Sequence, residues 1–420
     1  MNNYDYLLNL LDEELIPALG CTEPIAIALV GAKARDVLGQ FPDKIKAEVS
    51  GNVLKNVKSV IVPNTDGMRG VDTAAAAGVV GGDASLNLEV LNSLTHADIE
   101  KIKALLSEGF CTVEHLKSNE PLHIKITAYK GDSYAAVELK DSHSNVCYIE
   151  KDGVVLLKTD GGKCDGAPKR EMALEDIYDF ARTVKLDDVR PVISRQIKCN
   201  TAICQEGLKN SYGQNIGKTL LSIYGNDIKV TARALASAGS DARMSGCSLP
   251  VIINSGSGNQ GITVSIPVIE FARALNSNEE TLYRALVLSN LVAIYLKRGM
   301  GKLSAYCGVV SASCGAGAGI TYLHGGDLKT ISKTITNTVA NVSGIVCDGA
   351  KGSCAAKIAS SVDACILGHY MAMADNVFRA GDGIVKANVE DTIDGVMKIA
   401  KDAMRETDEE ILNIMFNDYK

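Results

Sequence analysis

The spacing of apolar residues divides the chain into two regions with different periodicities. Around residues 40–165, apolar and polar positions alternate in short runs. The segment KIKAEVSGNVLKNVKSVIVP predicts a strand, a polar turn and a second strand. Four further strands are predicted at 112–116, 123–129, 133–140 and 144–151. With a few helices among these strands, the region is predicted to be an α+β domain, an α/β sandwich on an antiparallel sheet.

Helical spacing dominates the rest of the chain. We predict helices at 4–19 and directly after the GCTEP motif, and then at 174–186, 192–208, 219–237, 268–275, 279–297, 328–343, 355–373 and 389–402. We expect two domains: residues 40–165 form the α+β domain, and 1–39 with 170–420 form an all-helical domain. The apolar helix after GCTEP is expected to pack within the helical domain, and 152–168 is expected to be a polar linker.

Composition limits which kinds of binding partner and which cellular location we expect for the protein. The 420 residues carry a net charge of −7 and no tryptophan, which argues against a nucleic-acid partner. No run reaches the length of a membrane span, and the N-terminus does not have the pattern of a signal peptide. Twelve cysteines without a leader predict a reducing, cytoplasmic location, where thiols bind metals or take part in catalysis. The oligomeric state is left open, with a homodimer as one option.

Four cysteines fall in a stretch rich in small residues: Cys307, Cys314, Cys347 and Cys354. The last two belong to VCDGAKGSC, where the two glycines and the aspartate favour a turn over a straight helix. Thiols that converge from such a turn are typical of a thiolate-bound metal centre. The spacing matches no common zinc or ferredoxin motif, so burial as small core residues stays an alternative.

Cys21 is the candidate reactive thiol. It lies in GCTEP, directly before an apolar helix that we expect to begin near Pro24, with Thr22 as its cap. A thiol at the N-terminus of a helix gains stabilisation of its thiolate, so we expect a pKa below that of free cysteine. The alternative is a buried thiol in the elbow between two helices.

The segment GSGNQG at 256–261 matches a dinucleotide-binding pattern. We reject that interpretation, because the following ITVSIP is β-branched and soon meets Pro267, so we expect no helix to start there. We interpret it instead as a loop whose N–H groups and amide side chains, Asn259 and Gln260, face a small anion. A purely structural turn is the alternative.

The six histidines show no metal-ligand spacing. We expect those of the sheet region to lie at the surface: His96, His115, His123 and His143. His324 and His369 are expected to make ordinary polar contacts in the helical region.

Five motifs in order carry a resemblance to a known family: GCTEP, SGNVLKN with VPNTDG, MSGCSLPVIINSGSGNQG, GKLSAYCG and IVCDGAKGSC. Over about residues 10–405 the chain resembles the L-cysteine desulfidase family, which is related to the catalytic α part of bacterial iron–sulfur L-serine dehydratases. The resemblance implies a cytoplasmic lyase whose helical domain binds a 4Fe–4S cluster through Cys307, Cys347 and Cys354, with one iron open. Cys314 is then a packing residue. Cys21 matches the family's cysteine near the substrate, an acid or base.

The implied reaction is the β-elimination of L-cysteine to hydrogen sulfide, pyruvate and ammonia. The chain ends in FNDYK, so it lacks the C-terminal cysteine that the serine dehydratases place in the site. No pyridoxal phosphate is expected. The residues expected to fix the substrate are Asn52, Lys55, Asn56, Ser257, Asn259 and Gln260, with Lys55 or Arg243 neutralising its carboxylate. The alternatives are an iron–sulfur L-serine dehydratase and a non-enzymatic iron–sulfur or zinc redox sensor.

Overall fold

A six-stranded sheet is built from the region of alternating apolar residues. The computed structural model of the protein describes residues 3–118, 120–159, 172–298 and 303–417. The strands are β1 (Pro17–Ala18), β2 (Lys44–Val49), β3 (Cys111–His115), β4 (His123–Lys130), β5 (Ser133–Lys140), β6 (Val146–Lys151), β7 (Val154–Lys158) and β8 (Val251–Ile252). The four strands predicted between 112 and 151 are therefore confirmed as β3 to β6, and the fold is of the predicted α+β class.

The large sheet has the order β3-β2-β4-β5-β6-β7. Its neighbours pair antiparallel, as predicted, except that β3 runs parallel to β2. Three α-helices and a 3-10 helix lie between β2 and β3 along the chain. A connection of this length can return the chain to the same end of the sheet, which a parallel pair requires. The short β1 and β8 form a separate antiparallel pair.

The α-helices cover most of the remaining described chain. They are α1 (Asn3–Glu14), α2 (Thr22–Leu38), α3 (Gly51–Val57), α4 (Val71–Gly81), α5 (His96–Ser107), α6 (Leu174–Thr183), α7 (Leu186–Lys209), α8 (Ile216–Tyr224), α9 (Ile228–Met244), α10 (Gly258–Ala274), α11 (Glu279–Arg298), α12 (Gly308–Leu323), α13 (Leu328–Val342), α14 (Ser353–Met373), α15 (Val389–Lys398) and α16 (Arg405–Asn417). A 3-10 helix at Ala84–Glu89 and a π-helical turn at Ile399–Ala403 complete the elements.

Several predicted elements are wrong. The polar turn predicted after β2 is the helix α3, because its polar side chains recur at helical spacing on one face. The second strand predicted after that turn is replaced by an isolated β-bridge between Ile61 and Arg69. The helix predicted at 219–237 is interrupted at Gly225, whose φ of +81° ends α8. The predicted linker contains β7 at its start, and its remainder from 160 onward lies outside the described residues. Two helices, α12 and α16, were not predicted.

The helix α2 packs on the sheet region and not, as expected, within the helical region. It contacts α4, β4 and β5, while α1 packs on α6, α7 and α11. Almost every residue of the first three turns of α2 is buried, so this part of the helix has no polar face. Without one, the sequence does not indicate which region of the fold the helix packs against. The proposed boundaries of the two domains stay a prediction. In the described part of the chain, no helix is long and apolar enough to cross a membrane.

Candidate active site

One cavity brings the predicted site residues together. It has a volume of about 90 Å³ and lies where α2 and α3 of the sheet region meet the helical region. All ten candidate residues line it: Cys21, Asn52, Lys55, Asn56, Ser257, Asn259, Gln260, Cys307, Cys347 and Cys354. Thr22 joins the two sides, because its hydroxyl donates to the carbonyl oxygen of Gly256 at 2.9 Å. Cys314 is fully buried and is not among the residues of the cavity wall.

The N-termini of four long helices converge on this cavity. Cys21, Ser257 and Cys307 are the N-cap residues of α2, α10 and α12, and Cys354 lies in the first turn of α14. The expectation that no helix begins in GSGNQG is therefore wrong. Burial of nearly every side chain of α10 outweighs the weak helix propensity of its β-branched residues. Each helix end carries about half a positive charge, so together they favour an anionic occupant.

The segment between Cys347 and Cys354 forms the predicted turn. Gly349 has a φ of +99°, and a Cβ atom there would lie 2.4 Å from the carbonyl oxygen of Lys55. Only glycine therefore lets the turn pack this closely against α3. The thiol of Cys354 points back to the carbonyl oxygen of Gly349 at 3.7 Å. The turn thus directs both thiols into the cavity from one side.

Two of the three predicted ligand thiols, Cys307 and Cys347, shift each other's pKa in opposite directions. Contact with the Cys307 thiol lowers the pKa of Cys347 to about 6, against the effect of burial, and the ammonium groups of Lys55 and Lys297 add to this. The same contact and burial raise the pKa of Cys307 well above its ordinary value. A thiolate beside a thiol, with lysines nearby, is the charge arrangement of a thiolate-bound centre.

The three cysteine thiols of the wall are donors of the kind that an iron–sulfur cluster takes. Among the described residues, no three His, Cys, Asp or Glu side chains are arranged around one ion position. In a cluster each cysteine binds a different iron, so the three thiols need not converge on one point. Three cysteines in one wall, with Lys55 and Lys297 near Cys347, fit such a group.

Cys21 precedes its helix as predicted, but its pKa is not lowered. The helix begins at Thr22, so Cys21 itself is the N-cap residue. Burial and the nearby carboxylate of Glu23 raise the pKa of Cys21 well above its ordinary value, and Arg243 only partly opposes them. The thiol donates to Glu23 Oε2 at 2.9 Å. Cys21 is therefore a protonated hydrogen-bond donor, and the expectation of a low pKa is wrong.

Several polar atoms of the wall have no hydrogen-bond partner within the described chain. They are the side-chain oxygens of Asn52, Asn56, Asn259 and Gln260, Nε of Arg243, and the hydroxyl of Tyr306. Buried polar atoms without partners are costly, so this concentration indicates a polar ligand. Lys55 is different, because its ammonium already donates to the Cys347 carbonyl oxygen at 3.3 Å and pairs with Asp408 of α16.

Sequence reasoning missed four residues of the site. Glu23, Lys297 and Tyr306 line the cavity, and His143 lies directly behind Glu23. Glu23 stands inside GCTEP and could have been recognised as a carboxylate two residues from the Cys21 thiol. The sequence did not indicate Lys297 as a site residue, because a lysine at the end of a long helix usually lies at the surface. His143 was expected at the surface but is only 4% exposed, and His123 is buried as well.

Comparison with known proteins identifies the family. Residues 85–413 match the family model described as "Serine dehydratase alpha chain", and the protein belongs to this family. The chain is 54% identical over 416 residues to a UPF0597 protein of Lachnoclostridium phytofermentans, covering 99% of this chain and 100% of the relative. It is 47% identical to a UPF0597 protein of Finegoldia magna, with 99% of each covered. It is 44% identical to one of Treponema denticola, again with 99% of each covered.

This family is one of iron–sulfur dehydratases, and the protein is accordingly of a lyase type. The resemblance inferred from the five motifs is confirmed at the level of the family.

Proposed function

We propose that the protein is an L-cysteine desulfidase, an iron–sulfur lyase that converts L-cysteine to hydrogen sulfide, pyruvate and ammonia. The observation that carries the proposal is the single cavity in which three cysteine thiols face Cys21 and a set of unpaired amide oxygens. A closed structural metal site needs neither a reactive thiol nor a polar pocket for a second ligand. This argues against the alternative of a non-enzymatic redox sensor.

A 4Fe–4S cluster on Cys307, Cys347 and Cys354, when bound, would supply an open iron as a Lewis acid for the leaving sulfur. Sulfur is a soft ligand, and this favours a substrate thiolate over a hydroxyl group at such an iron. The convergent helix ends and the two lysines near Cys347 stabilise the negative charge of three thiolates. The residues of the chain therefore suit a cluster that stays bound while the substrate enters and leaves.

The polar wall can orient an amino acid. Its ammonium group has N–H donors, which match the unpaired oxygens of Asn52, Asn56, Asn259 and Gln260. Its carboxylate matches Arg243, which is 2% exposed and has an unpaired Nε, together with the N-terminus of α10 at Ser257. Lys55 is engaged by Asp408, so Arg243 is the better candidate of the two cations considered from sequence.

We assign proton transfer at the substrate to Cys21. Cys21 is a thiol, so it can act as an acid at once, and a base role requires that it first lose its proton. Arg243 and the N-terminus of α2 are the groups that stabilise the thiolate. A proton that Cys21 takes from Cα can be returned to the enamine product, so the proton balance closes within one turnover.

Anaerobic kinetics with two substrates test the proposal. The protein is purified without oxygen, its iron and acid-labile sulfide are counted, and kcat/KM is measured for L-cysteine and L-serine. We expect iron-dependent release of sulfide and pyruvate, a higher kcat/KM for L-cysteine, and no stimulation by added pyridoxal phosphate. A higher value for L-serine would make the protein an L-serine dehydratase, the alternative that the description of the matched family favours. Bound iron without turnover of either amino acid would favour the sensor.

The two-domain division, the cytoplasmic location and the homodimer remain further proposals of the same kind. Sedimentation of the iron-loaded protein measures the last of these directly.

A further inference from the structure

Glu23 is the centre of a buried hydrogen-bond network beside Cys21. Its side chain is 8% exposed. Oε2 accepts from the Cys21 thiol at 2.9 Å and lies 3.2 Å from the Thr22 hydroxyl oxygen, whose proton is donated to Gly256. Oε1 accepts from Nδ2 of Asn56 at 2.9 Å, so α2 and α3 are joined through this carboxylate. Each carboxylate oxygen therefore has one donor, and Cys21 is thereby held in one orientation.

His143 reaches the same carboxylate from the sheet. It lies in the hairpin loop between β5 and β6, and this loop is closed by backbone hydrogen bonds such as Asn145 N–H to the Ser142 carbonyl oxygen at 3.1 Å. Its side chain is 4% exposed, and its Nε2 lies 3.7 Å from Oε1 of Glu23. Nε2 has no hydrogen-bond partner within the described part of the chain. A ring nitrogen is therefore buried at the cost of its hydrogen bond, directly opposite a carboxylate.

We infer that His143 is a positioning residue of the active site, which holds the Glu23 carboxylate in place and through it orients the Cys21 thiol. His143 does not line the cavity, so it acts on the substrate only through Glu23 and Cys21. The inference rests on the proposed function insofar as Cys21 transfers a proton at the substrate. The inferred role connects the β5–β6 hairpin to the Cys21 thiol through Glu23, although His143 itself is not part of the cavity wall.

Electrostatics support this arrangement. Burial raises the pKa of Glu23, but the contact with His143 and the Cys21 hydrogen bond outweigh burial and bring that pKa down to about 2. Glu23 is therefore a full anion, and a buried anion is stable only with partners of this kind. Removing His143 leaves Glu23 with the donors of Cys21 and Asn56 alone, which hold the carboxylate less firmly.

A double-mutant cycle tests the coupling in the iron-loaded, full-length protein. We expect His143→Gln to lower kcat by about tenfold or more while KM stays within about twofold, because His143 does not touch substrate. Glu23→Gln should lower kcat as well. The kcat of the double variant should be no lower than that of Glu23→Gln alone, since both substitutions remove the same interaction between His143 and Glu23. His123→Gln is the matched control. His123 is also buried in the sheet, but it contacts Ser118 and Glu138, and kcat should be unchanged.

Histidine NMR of the same proteins gives a readout that does not depend on turnover. The chain has six histidines, and the His143→Gln spectrum assigns the ring signals of His143 by subtraction. Glu23→Gln should shift these signals and leave those of His123 in place. The inference is overturned if Glu23→Gln leaves the His143 signals unmoved, or if the two losses in kcat multiply in the double variant. If the unmodified protein turns over neither amino acid, the proposed function fails, while the NMR result alone decides the coupling of His143 to Glu23.

Discussion

The substitution Gly349→Ala tests whether the turn between Cys347 and Cys354 is what holds the thiols in the cavity. At Gly349 the backbone has a φ of +99°, and an added Cβ would lie 2.4 Å from the carbonyl oxygen of Lys55. Real Cβ atoms do not approach so closely, and the obstacle is backbone rather than a mobile side chain. Either the turn must open, or the last turn of α3 must move away with Lys55.

The free-energy cost of Gly349→Ala comes from the positive φ and from the close approach of the added Cβ to Lys55. A non-glycine residue in such a conformation costs about 1–3 kcal/mol, and the close approach adds to it. Taking about 2 kcal/mol, the closed turn loses roughly 30-fold in population against an opened one, at 1.4 kcal/mol per tenfold. If the same strain acts on global unfolding, about 2.1 cal/mol/K of entropy per residue over 420 residues gives a fall in Tm of about 2 °C. The local effect on the thiols is therefore expected to exceed the global one.

The assay compares two alanine variants of the same turn after anaerobic reconstitution. Gly352→Ala is the matched control, because Gly352 has an ordinary φ of −53° and no atom lies within 4 Å of its added Cβ. We expect Gly349→Ala to lose most of its iron and activity with a nearly unchanged Tm, and Gly352→Ala to retain both. Equal iron content in the two variants would refute the reasoning that the strained turn positions the thiols.

Further predictions concern single side chains. Alanine at any one of the three predicted ligand cysteines should remove iron and activity together, whereas Cys314→Ala should keep its iron; both are measured by iron and sulfide analysis. Cys21→Ser should keep the cluster and the binding of L-alanine, followed by calorimetry, but lose about 100-fold or more in kcat, and near-normal turnover would contradict a proton-transfer role. The pKa of Glu23 is depressed from 4.5 to about 2, so its ionised form stabilises the fold above pH 4.5, and that contribution is lost as the pH falls toward 2. In denaturant titrations, Glu23→Gln should therefore be less stable than the unmodified protein at pH 7, and the difference should shrink at pH 3; a difference independent of pH would argue against an ionised Glu23.

The strands and the amphipathic helices were predictable from local pattern. Strands β3 to β6 alternate in sequence, and α11 and α13 have apolar residues at helical spacing, so their bounds agree with the prediction to within a few residues. The candidate site was predictable because its members stand in short motifs, and all ten residues named from sequence do line one cavity. What the motifs could not show was how each residue acts. Cys21 has the predicted place before α2, yet burial and Glu23 reverse the direction of its pKa shift.

The sequence by itself determined the class of the fold, the thiols and amides of the site, and the family. Only the tertiary structure decided that α3, α10 and α12 are helices at the cavity, that α2 lies on the sheet, and that His143 stands behind Glu23. The physical reason is burial. Helices enclosed on every side carry no amphipathic period, and packing overrides their weak propensities. Likewise, His143 lies in a hairpin loop, and its contact is with Glu23 of α2, which is distant in the sequence. No local pattern of residues predicts that contact.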